Sequence, residues 1–458
     1  MSVVWRVARV AGGTLKKYFG TDGIRGEANS ELTPELALRL GRAVVGALGT
    51  RRRFVIGRDT RISGQMLESA ITAGLLSESA EVLLAGVLPT PGVAFLTEEL
   101  DAGAGIVISA SHNQFKDNGI KVLGPGGVKL PDDIEKAIER EFEDLQPHPE
   151  TVRVGTASEV KDASGIYVDH LLSCIHADLS GLKIALDCAN GAAYRVAGEA
   201  FSRLGADVQV IAAEPDGTNI NLDCGSAYPE RLSGLVKSWG ADAGFALDGD
   251  ADRCICVDET GEVRDGDFVM AIAANYLKEH NLLVPPVVVS TVMSNMGFFK
   301  ALEGLGIQAS QVQVGDRYVL EEMISRSSLL GGEQSGHVIF RMHASTGDGC
   351  LTALTMAGIM KETKEPLSEL SRVMKKYPQV LINVRSRSGR RLVPGMKVWD
   401  FISSLEKELG TNGRVLVRSS GTEPVERVMV EASSERRARD VAGKIAQAIL
   451  EELDRRAG

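Results

Sequence analysis

Three stretches of the chain repeat one alternation of character. They are RFVIGRDTRISGQMLESAITAGLLSESAEVLLAG (53–86), KIALDCANGAAYRVAGEAFSRLGADVQVIA (183–212) and VVVSTVMSNMGFFKALEGLGIQASQVQVG (287–315). In each, an apolar strand-like run gives way to a small polar turn, an amphipathic helix, a Gly or acidic break and a second apolar run. The switch from a buried run to helical spacing marks a βαβ unit. Right-handed crossovers then predict mostly parallel sheets covered by helices. Three such units, each roughly a hundred residues or more from the next, predict three related α/β domains rather than a solenoid. The end of the chain has another order. KVWDFISSLEKELG reads as a helix, RVLVR and ERVMVEAS as strands around a loop, and SERRARDVAGKIAQAILEELDRR as a long amphipathic helix. This predicts a smaller C-terminal α+β domain.

The polar stretch QPHPETVRVGTASEV (146–160) and the segment around Arg264 to Asp267 supply the remaining boundaries. The expected domains are 15–160, 161–266, 267–380 and 381–458. Residues 1–14 add nothing periodic, and KKYFGTDGIRG reads as the start of a folded domain. Leu15 is therefore expected to mark a genuine start at an alternative codon, or the first segment to be a disordered leader. Thr33, Pro34 and Glu35 give an N-cap, a preset φ and an acid in the first turn. The helix they open should run to Leu48, with Leu36, Leu40, Val44 and Leu48 on one stripe.

Length supports this division, since 458 residues exceed what one hydrophobic core serves and should make roughly three or four domains. A net charge of −10 gives no footprint for nucleic acid or an anionic membrane. Six cysteines fall in no CxxC pair and no Cys/His ligand spacing, so they read as small buried residues of a reducing compartment. No run reaches the ~20 apolar residues of a membrane span. Two arginines interrupt the apolar N-terminal stretch and make it a poor secretory signal, so the expected location is cytoplasmic.

Four stretches carry polar groups that folding alone does not require. In GIVISASHNQFKDNGIK (105–121), Ser111 follows an apolar strand, His112 adjoins it, and Lys121 returns on a second strand after an Asp117-Asn118-Gly119 turn. Loops at the carboxyl ends of strands are where α/β sheets place ligands; a polar hairpin with a capping serine is the plainer reading. In GFALDGDADRCICVDETG (244–261), Asp248, Asp250 and Asp252 alternate with Gly249 and Ala251 between strand-like runs. Small spacers let three carboxylates meet one hard cation. A solvated acidic turn is the alternative. An EF-hand loop fails, because Arg253 stands where that loop needs glycine and β-type residues flank it, although Glu259 falls at its last ligand position. In GGEQSGHVIF (331–340), Glu333, Ser335 and His337 alternate, which sets them on one face of an extended segment suited to sugar hydroxyls. A turn before the strand HVIF explains them nearly as well. In RVLVRSSGTEPVERVMVE (414–431), Arg418, Ser420, Gly421 and Thr422 follow a strand, with Arg427 beyond. Hydroxyls, backbone N–H groups and a guanidinium make a phosphate cradle, or a polar turn with a surface arginine. The GK[ST] signature of an NTPase loop is missing. Together the four describe phosphoryl transfer onto and off a sugar.

Five ordered motifs, GTDGIRG (20–26), SASHN (109–113), DGDADR (248–253), GGEQSGH (331–337) and RSSGTEP (418–424), resemble the α-D-phosphohexomutase superfamily across residues 17–458. SASHN, DGTNIN (216–221), VGDRYVLE (314–321) and GEQSGH are most similar to its bacterial phosphoglucosamine mutase branch. Gln114 departs from the family's usual proline after SASHN but removes no chemical group.

The resemblance implies three α/β domains and a smaller C-terminal domain around a central active-site cleft. It makes Ser111 a phosphoserine, whose phosphate would hold one Mg²⁺ together with Asp248, Asp250 and Asp252. Lys121 and His337 become acid/base candidates, with Arg25, Arg253 and His112 close to the chemistry. Glu333 and Ser335 would bind sugar hydroxyls, and Arg418, Ser420, Gly421, Thr422 and Arg427 the non-reacting phosphate. The implied reaction interconverts glucosamine 6-phosphate and glucosamine 1-phosphate through glucosamine 1,6-bisphosphate, on the route to UDP-N-acetylglucosamine, in a monomer or homodimer. Mannose or glucose phosphate is the alternative substrate, and a non-catalytic sugar-phosphate-binding protein the alternative class.

Overall fold

The computed structural model describes residues 18–20, 22–49, 53–145, 153–386, 390–419 and 425–454. The expectation for Leu15 and the N-terminal leader lies outside the described residues. The chain divides into two compact units, one of residues 16–293 with 302–373, the other including 294–301 and 374–458.

The larger unit holds three sheets. Strands β1 (Ile24–Glu27), β2 (Arg53–Arg58), β3 (Glu81–Val87), β4 (Ala104–Ile108), β5 (Asp117–Leu123) and β6 (Thr156–Glu159) form the first, in the order β1-β5-β4-β2-β3-β6. β2, β3, β4 and β6 run parallel, while β5 and β1 are antiparallel additions at one edge. β6 lies within the polar stretch read from sequence as a boundary; all four of its residues are exposed, so an edge position replaces the apolar signal. The second sheet joins β7 (Lys183–Asp187), β8 (Asp207–Ile211), β9 (Ala243–Leu247), β10 (Cys254–Asp258) and β11 (Val263–Arg264) in the order β11-β10-β9-β7-β8. The third joins β12 (Val287–Thr291), β13 (Gln308–Val312), β14 (Leu330–Gly332) and β15 (Val338–Phe340) in the order β13-β12-β14-β15. All three repeated segments are βαβ units with parallel strands, in β2–β3, β7–β8 and β12–β13.

Packing follows the apolar pattern. Helix Pro34–Leu48 is capped by Thr33, whose hydroxyl accepts from the Leu36 N–H at 3.2 Å. Its buried face is Ala37, Leu40, Gly41, Val44 and Val45, with Leu36 and Leu48 at the margin of the expected stripe. These residues share a core with Phe54 and Ile56 of β2, Ile106 and Ile108 of β4, and Leu67 and Ile71 of the next helix. Five of the six cysteines are buried and none is paired.

The smaller unit is α+β, as its element order implied. β16 (Gln379–Val384), β17 (Gly413–Ser419) and β18 (Glu426–Ala432) form an antiparallel sheet in the order β16-β18-β17. Helices Val398–Leu409 and Glu435–Asp454 cover it through Ile402, Leu405, Val441, Ile445 and Ile449. Residues 294–301 join this unit through Glu431, which is buried and accepts from Arg414 Nε at 2.8 Å, Asn295 Nδ2 at 3.2 Å and the Met296 N–H at 2.8 Å. Among the described residues no helix is long and apolar enough to cross a membrane.

One buried carboxyl ties helices from different parts of the larger unit. Asp348 caps helix Gly349–Thr363 by accepting from the Leu351 N–H at 2.8 Å, and it accepts from the Tyr167 hydroxyl at 2.7 Å. Burial pushes its pKa up to about 6. The folded state therefore holds this proton more tightly than the unfolded chain, and stability falls as pH rises from about 4 to about 6. Asp348→Asn keeps an acceptor for Leu351 and removes the titration. Between pH 5 and pH 7.5 the variant should gain on the wild type by about 1 kcal/mol, read as a growing difference in melting temperature. A difference that does not change with pH refutes the assignment.

Candidate active site

The functional loops leave the carboxyl ends of parallel strands. Ser111 follows β4, Asp248 follows β9, and Glu333 follows β14. At such ends the strand amides are paired but the chain must leave the sheet, which opens a crevice for a ligand.

Ser111 is 1% exposed and has φ +51°. Its hydroxyl donates to Asp248 Oδ2 at 2.5 Å and lies 3.4 Å from His112 Nδ1. The chain reverses before residue 117, so the expected Asp117-Asn118-Gly119 turn is instead the first part of β5, paired with Glu27, Gly26 and Arg25 of β1. Close packing explains the difference: Asn118 is buried and donates to Ser63 Oγ at 2.8 Å, and a Cβ on Gly119 would meet the Ser109 carbonyl at 2.5 Å. β5 then carries Lys121 opposite Val107 of β4 and aims it at the acidic loop.

That loop joins two buried antiparallel strands, β9 and β10. Asp248, Asp250 and Asp252 are all buried, and one carboxylate oxygen from each lies within 4.8 Å of the others. Gly249 has no room for a side chain, because a Cβ would meet the Ser111 carbonyl at 2.6 Å. Asp250 Oδ2 accepts from Thr90 Oγ1 at 2.6 Å and Lys121 Nζ at 3.0 Å. Asp250 Oδ1 and Asp252 Oδ1 are buried without a hydrogen-bond partner. Unpaired buried carboxylate oxygens are costly; a divalent cation among three carboxylates and a serine oxygen satisfies both. The donor set is all oxygen and fits a hard ion.

The electrostatics agree. Burial and the two neighbouring aspartates hold the Asp248 carboxyl well above the usual range. Burial acts the same way on Asp252, but Lys121, His337 and Arg253 outweigh it and pull that group well below. Burial opposes the charge on Lys121, yet Asp22, Asp250 and Asp252 raise its pKa well above normal. Lys121 Nζ stands 3.2 Å from Asp22 Oδ2 and 3.5 Å from Asp252 Oδ2, and Arg25 pairs with the same Asp22. Arg253 Nε lies 3.7 Å from Asp252 Oδ1 and 4.0 Å from Asp248 Oδ2. Burial, then Arg253 and Arg25, push His112 down to about 4, so its ring is neutral at pH 7.

His337 is buried with Nδ1 3.7 Å from Asp252 Oδ2. Burial lowers its pKa and Asp252 raises it, with a net rise to about 9. The Gly347 N–H points at Nε2 from 3.1 Å, and only an unprotonated nitrogen accepts that bond. That bond opposes the rise that Asp252 causes: while it is made, the ring is the neutral Nδ1–H tautomer with its donor toward Asp252.

The expected extended segment at Glu333, Ser335 and His337 is a hairpin turn between β14 and β15. Glu333 N–H donates to the His337 carbonyl at 2.9 Å and the Gly336 N–H to the Glu333 carbonyl at 3.0 Å. Gly336, at φ +93°, makes the reversal and packs against the Cys254 backbone, which leaves no space for a side chain. The three side chains therefore share a turn rather than a face: His337 is buried, Ser335 is exposed, and Glu333 accepts from the Gly315 N–H at 3.1 Å.

Arg25, His112, Arg253, Glu333 and His337 line one cleft of about 420 Å³, together with Asp22 and Asp316. Sequence reasoning missed Asp22, Thr90 and Asp316. Asp22 sits in the same GTDGIRG motif as Arg25, which was the available signal. Asp316 sits in the VGDRYVLE string (314–321), whereas Thr90 carries no local pattern and reaches the site only through tertiary packing.

In the smaller unit, Arg418 of β17 stands directly opposite Arg427 of β18. Burial and then Arg427 lower the Arg418 pKa. Two facing guanidinium groups repel across a strand pair, and an anion between them removes that cost. Ser420, Gly421 and Thr422 lie outside the described residues.

Comparison with known proteins gives the family. Models of the phosphoglucomutase/phosphomannomutase family match the chain in order: alpha/beta/alpha domain I at residues 16–148, domain II at 166–261, domain III at 265–377 and the C-terminal domain at 359–448. The phosphoglucosamine mutase of Geobacillus thermodenitrificans is 52% identical over 445 residues, covering 96% of this chain and 99% of its own. That of Brevibacillus brevis is 50% identical over 448 residues, covering 96% and 100%. Among solved structures, a phosphoglucomutase/phosphomannomutase family protein from Burkholderia thailandensis superposes with a TM-score of 0.80 at 24% identity, covering 95% of this chain and 98% of its own. The N-acetylphosphoglucosamine mutase of Aspergillus fumigatus, solved with GlcNAc-6P and magnesium, gives 0.67 at 16% identity, covering 95% and 96%. With all four domains matched in order and half the residues shared along nearly the whole length of curated members, the chain belongs to the phosphoglucomutase/phosphomannomutase family.

Proposed function

We propose that the chain acts as a phosphoglucosamine mutase, interconverting glucosamine 6-phosphate and glucosamine 1-phosphate through a phosphoserine at Ser111 and glucosamine 1,6-bisphosphate. The observation that carries the reaction class is the Ser111 hydroxyl held 2.5 Å from Asp248, inside an aspartate cluster that retains unpartnered oxygens. The amino sugar is proposed from the names of the curated relatives. The reading places the enzyme in the cytoplasm.

Mg²⁺, held by Asp248, Asp250, Asp252 and the Ser111 phosphate, would supply the charge neutralisation that phosphoryl transfer needs. The chain's own residues do the rest. Ser111 Oγ carries the phosphoryl group at the strand end. A sugar hydroxyl oxygen bonds to that phosphorus while its bond to Ser111 Oγ breaks, and the hydroxyl proton leaves to a neighbouring base. Arg253 and Arg25 offset the charge on the moving group. His337 has both ring nitrogens engaged, by Asp252 and by the Gly347 amide. Lys121 is held as an ammonium by Asp22, Asp250 and Asp252, so it could take the hydroxyl proton only as the free amine, once those carboxylates are neutralised by another partner. Neutral His112 orients the serine oxygen. Glu333 and Ser335 take the sugar hydroxyls, while Arg418 and Arg427, with Ser420, Gly421 and Thr422, hold the phosphate that does not react. The bisphosphate then turns end for end and returns its other phosphate to Ser111.

Turnover of glucosamine 1-phosphate, glucose 1-phosphate and mannose 1-phosphate, followed by phosphorus NMR with Mg²⁺ and a trace of bisphosphate, tests the substrate. A strong preference for the amino sugar is expected; equal use of the neutral sugars returns the chain to the alternative of a phosphomannomutase/phosphoglucomutase. Ser111→Ala should abolish mutase turnover and leave sugar-phosphate binding measurable by calorimetry, whereas loss of both would make the serine structural. Lys121 now occupies the carboxylates that a cation needs, so Lys121→Met should strengthen Mn²⁺ binding to the unphosphorylated enzyme, read by electron paramagnetic resonance, while turnover falls. Unchanged or weaker Mn²⁺ binding contradicts that placement.

A further inference from the structure

The catalytic loop is held by a ring of hydrogen bonds that closes on the Ser111 peptide from both sides. Arg61 is 1% exposed, and its Nε donates to Asp59 Oδ2 at 2.9 Å. The rest of its guanidinium faces the loop: Nη2 donates to the carbonyls of Ser111 at 3.1 Å and Asn113 at 2.7 Å, and Nη1 donates to that of Gln114. Asp59 Oδ2 also accepts from Ser109 Oγ at 2.5 Å, and Ser109 Oγ accepts from the Ser111 N–H at 3.0 Å. A path of bonds therefore leaves Ser111 at its N–H, passes through Ser109, Asp59 and Arg61, and returns at its carbonyl.

A second donor reaches the same atoms from the second sheet's part of the unit. Asn221, 3% exposed and at φ +56°, donates from Nδ2 to the carbonyls of Ser111 and Asn113, each at 2.8 Å. The Ser111 carbonyl thus accepts from Arg61 and Asn221 and lies against Gly249 of the aspartate loop.

From this geometry we infer that Arg61 and Asn221 are positioning residues for phosphoryl transfer, fixing Ser111 in its left-handed conformation so that Oγ faces the aspartate cluster. Serine gains nothing intrinsic from φ +51°. Its conformation persists because the surroundings over-determine it. Every loop acceptor of the Arg61 guanidinium is a carbonyl of residues 111–114, so the arginine's contacts serve the loop and its Asp59 anchor. Asn221 adds a condition: the loop is complete only when the β7–β11 region is docked against it. The serine and the aspartates that face it are thereby set by one arrangement.

The inference rests on the mutase reading, and the experiment separates the two. Wild type, Asn221→Gly, Asn221→Asp and Arg61→Lys are loaded with labelled phosphate from glucose 1,6-bisphosphate. Transfer from Ser111 to glucosamine 6-phosphate is then timed by quenched flow, alongside substrate affinity and melting temperature. Glycine and aspartate both tolerate the left-handed backbone of position 221, so neither variant strains it; glycine removes the donor, and aspartate sets an acceptor against both carbonyls. A misplacement of about 1 Å costs on the order of 100-fold in rate. The transfer step should therefore slow roughly 10- to 100-fold in both Asn221 variants, with KM close to wild type in both and the melting temperature close to wild type in Asn221→Gly. Arg61→Lys, which keeps a charge for Asp59 but loses the fork, should slow at least as much. Wild-type transfer rates in the two Asn221 variants overturn the positioning role. Weakened substrate binding or a lowered melting temperature that accounts for the whole loss overturns it too. A wild-type enzyme that takes no phosphate on Ser111 removes the mutase reading itself.

Discussion

Everything in the larger unit answers to one electrostatic constraint: three carboxylates share a buried volume with a serine hydroxyl. Two unit charges about 5 Å apart repel by about 3 kcal/mol at the effective dielectric of a protein interior. Three such pairs, plus the loss of hydration, make the cluster a liability for folding. The structure offsets it with two cations and an imidazole N–H drawn from separate sheets. Lys121 comes from β5 of the first sheet, Arg253 from the start of β10 in the second, and His337 from the β14–β15 hairpin of the third. No single βαβ unit could supply this set, so the cluster is tolerable only in the assembled unit. The compensation is also partial, since Asp250 Oδ1 and Asp252 Oδ1 receive no hydrogen bond. Polar groups left unsatisfied in a buried site mark chemistry rather than stability.

Such crowding needs backbones that approach more closely than side chains permit. Gly249 lies against the Ser111 carbonyl, and Gly336 against Cys254. Ser111, Asn221 and Ala251 all adopt positive φ at this junction. Conformations that L-residues adopt reluctantly cluster where the loops meet, as expected when function over-determines local geometry. The high glycine content of the chain, 50 residues, takes on a specific meaning here: at Gly249 and Gly336 a methyl group would separate loops whose contact defines the site.

What the sequence made legible follows from this. The βαβ units were readable because an apolar run beside an amphipathic helix is a local pattern, and β2–β3, β7–β8 and β12–β13 obey it. β6 was not, because an exposed edge strand carries no apolar alternation. The aspartate loop was readable because small spacers between carboxylates are visible in six residues. The Glu333 loop left two readings open, an extended face and a turn before HVIF, and the turn is what forms, because Gly336 reverses the chain. Thr90 and Arg61 were invisible as site residues for a different reason: each acts through a contact more than fifty positions away, which leaves no side-chain motif. Asn221 closes the DGTNIN string, but nothing in that string tells which carbonyls its amide meets. Their discovery required knowing which carbonyls face them.

The arginine pair of the smaller unit extends the same logic with the sign reversed. Arg418 and Arg427 face each other across β17 and β18, where unlike charges would stabilise the sheet and like charges weaken it. The pairing persists on a sheet whose core, built from Val428, Val430, Ile445 and Ile449, is well enough packed to bear it. In the proposed reaction the two sites divide the work on a doubly anionic sugar. The arginine pair attracts phosphate by charge and geometry alone and is indifferent to which end of the sugar carries it. The aspartate cluster repels phosphate until a cation intervenes. The proposed reaction thus asks opposite charges of the two sites: an attractive pair for the phosphate that does not react, and a repulsive cluster that has to be neutralised for the one that does.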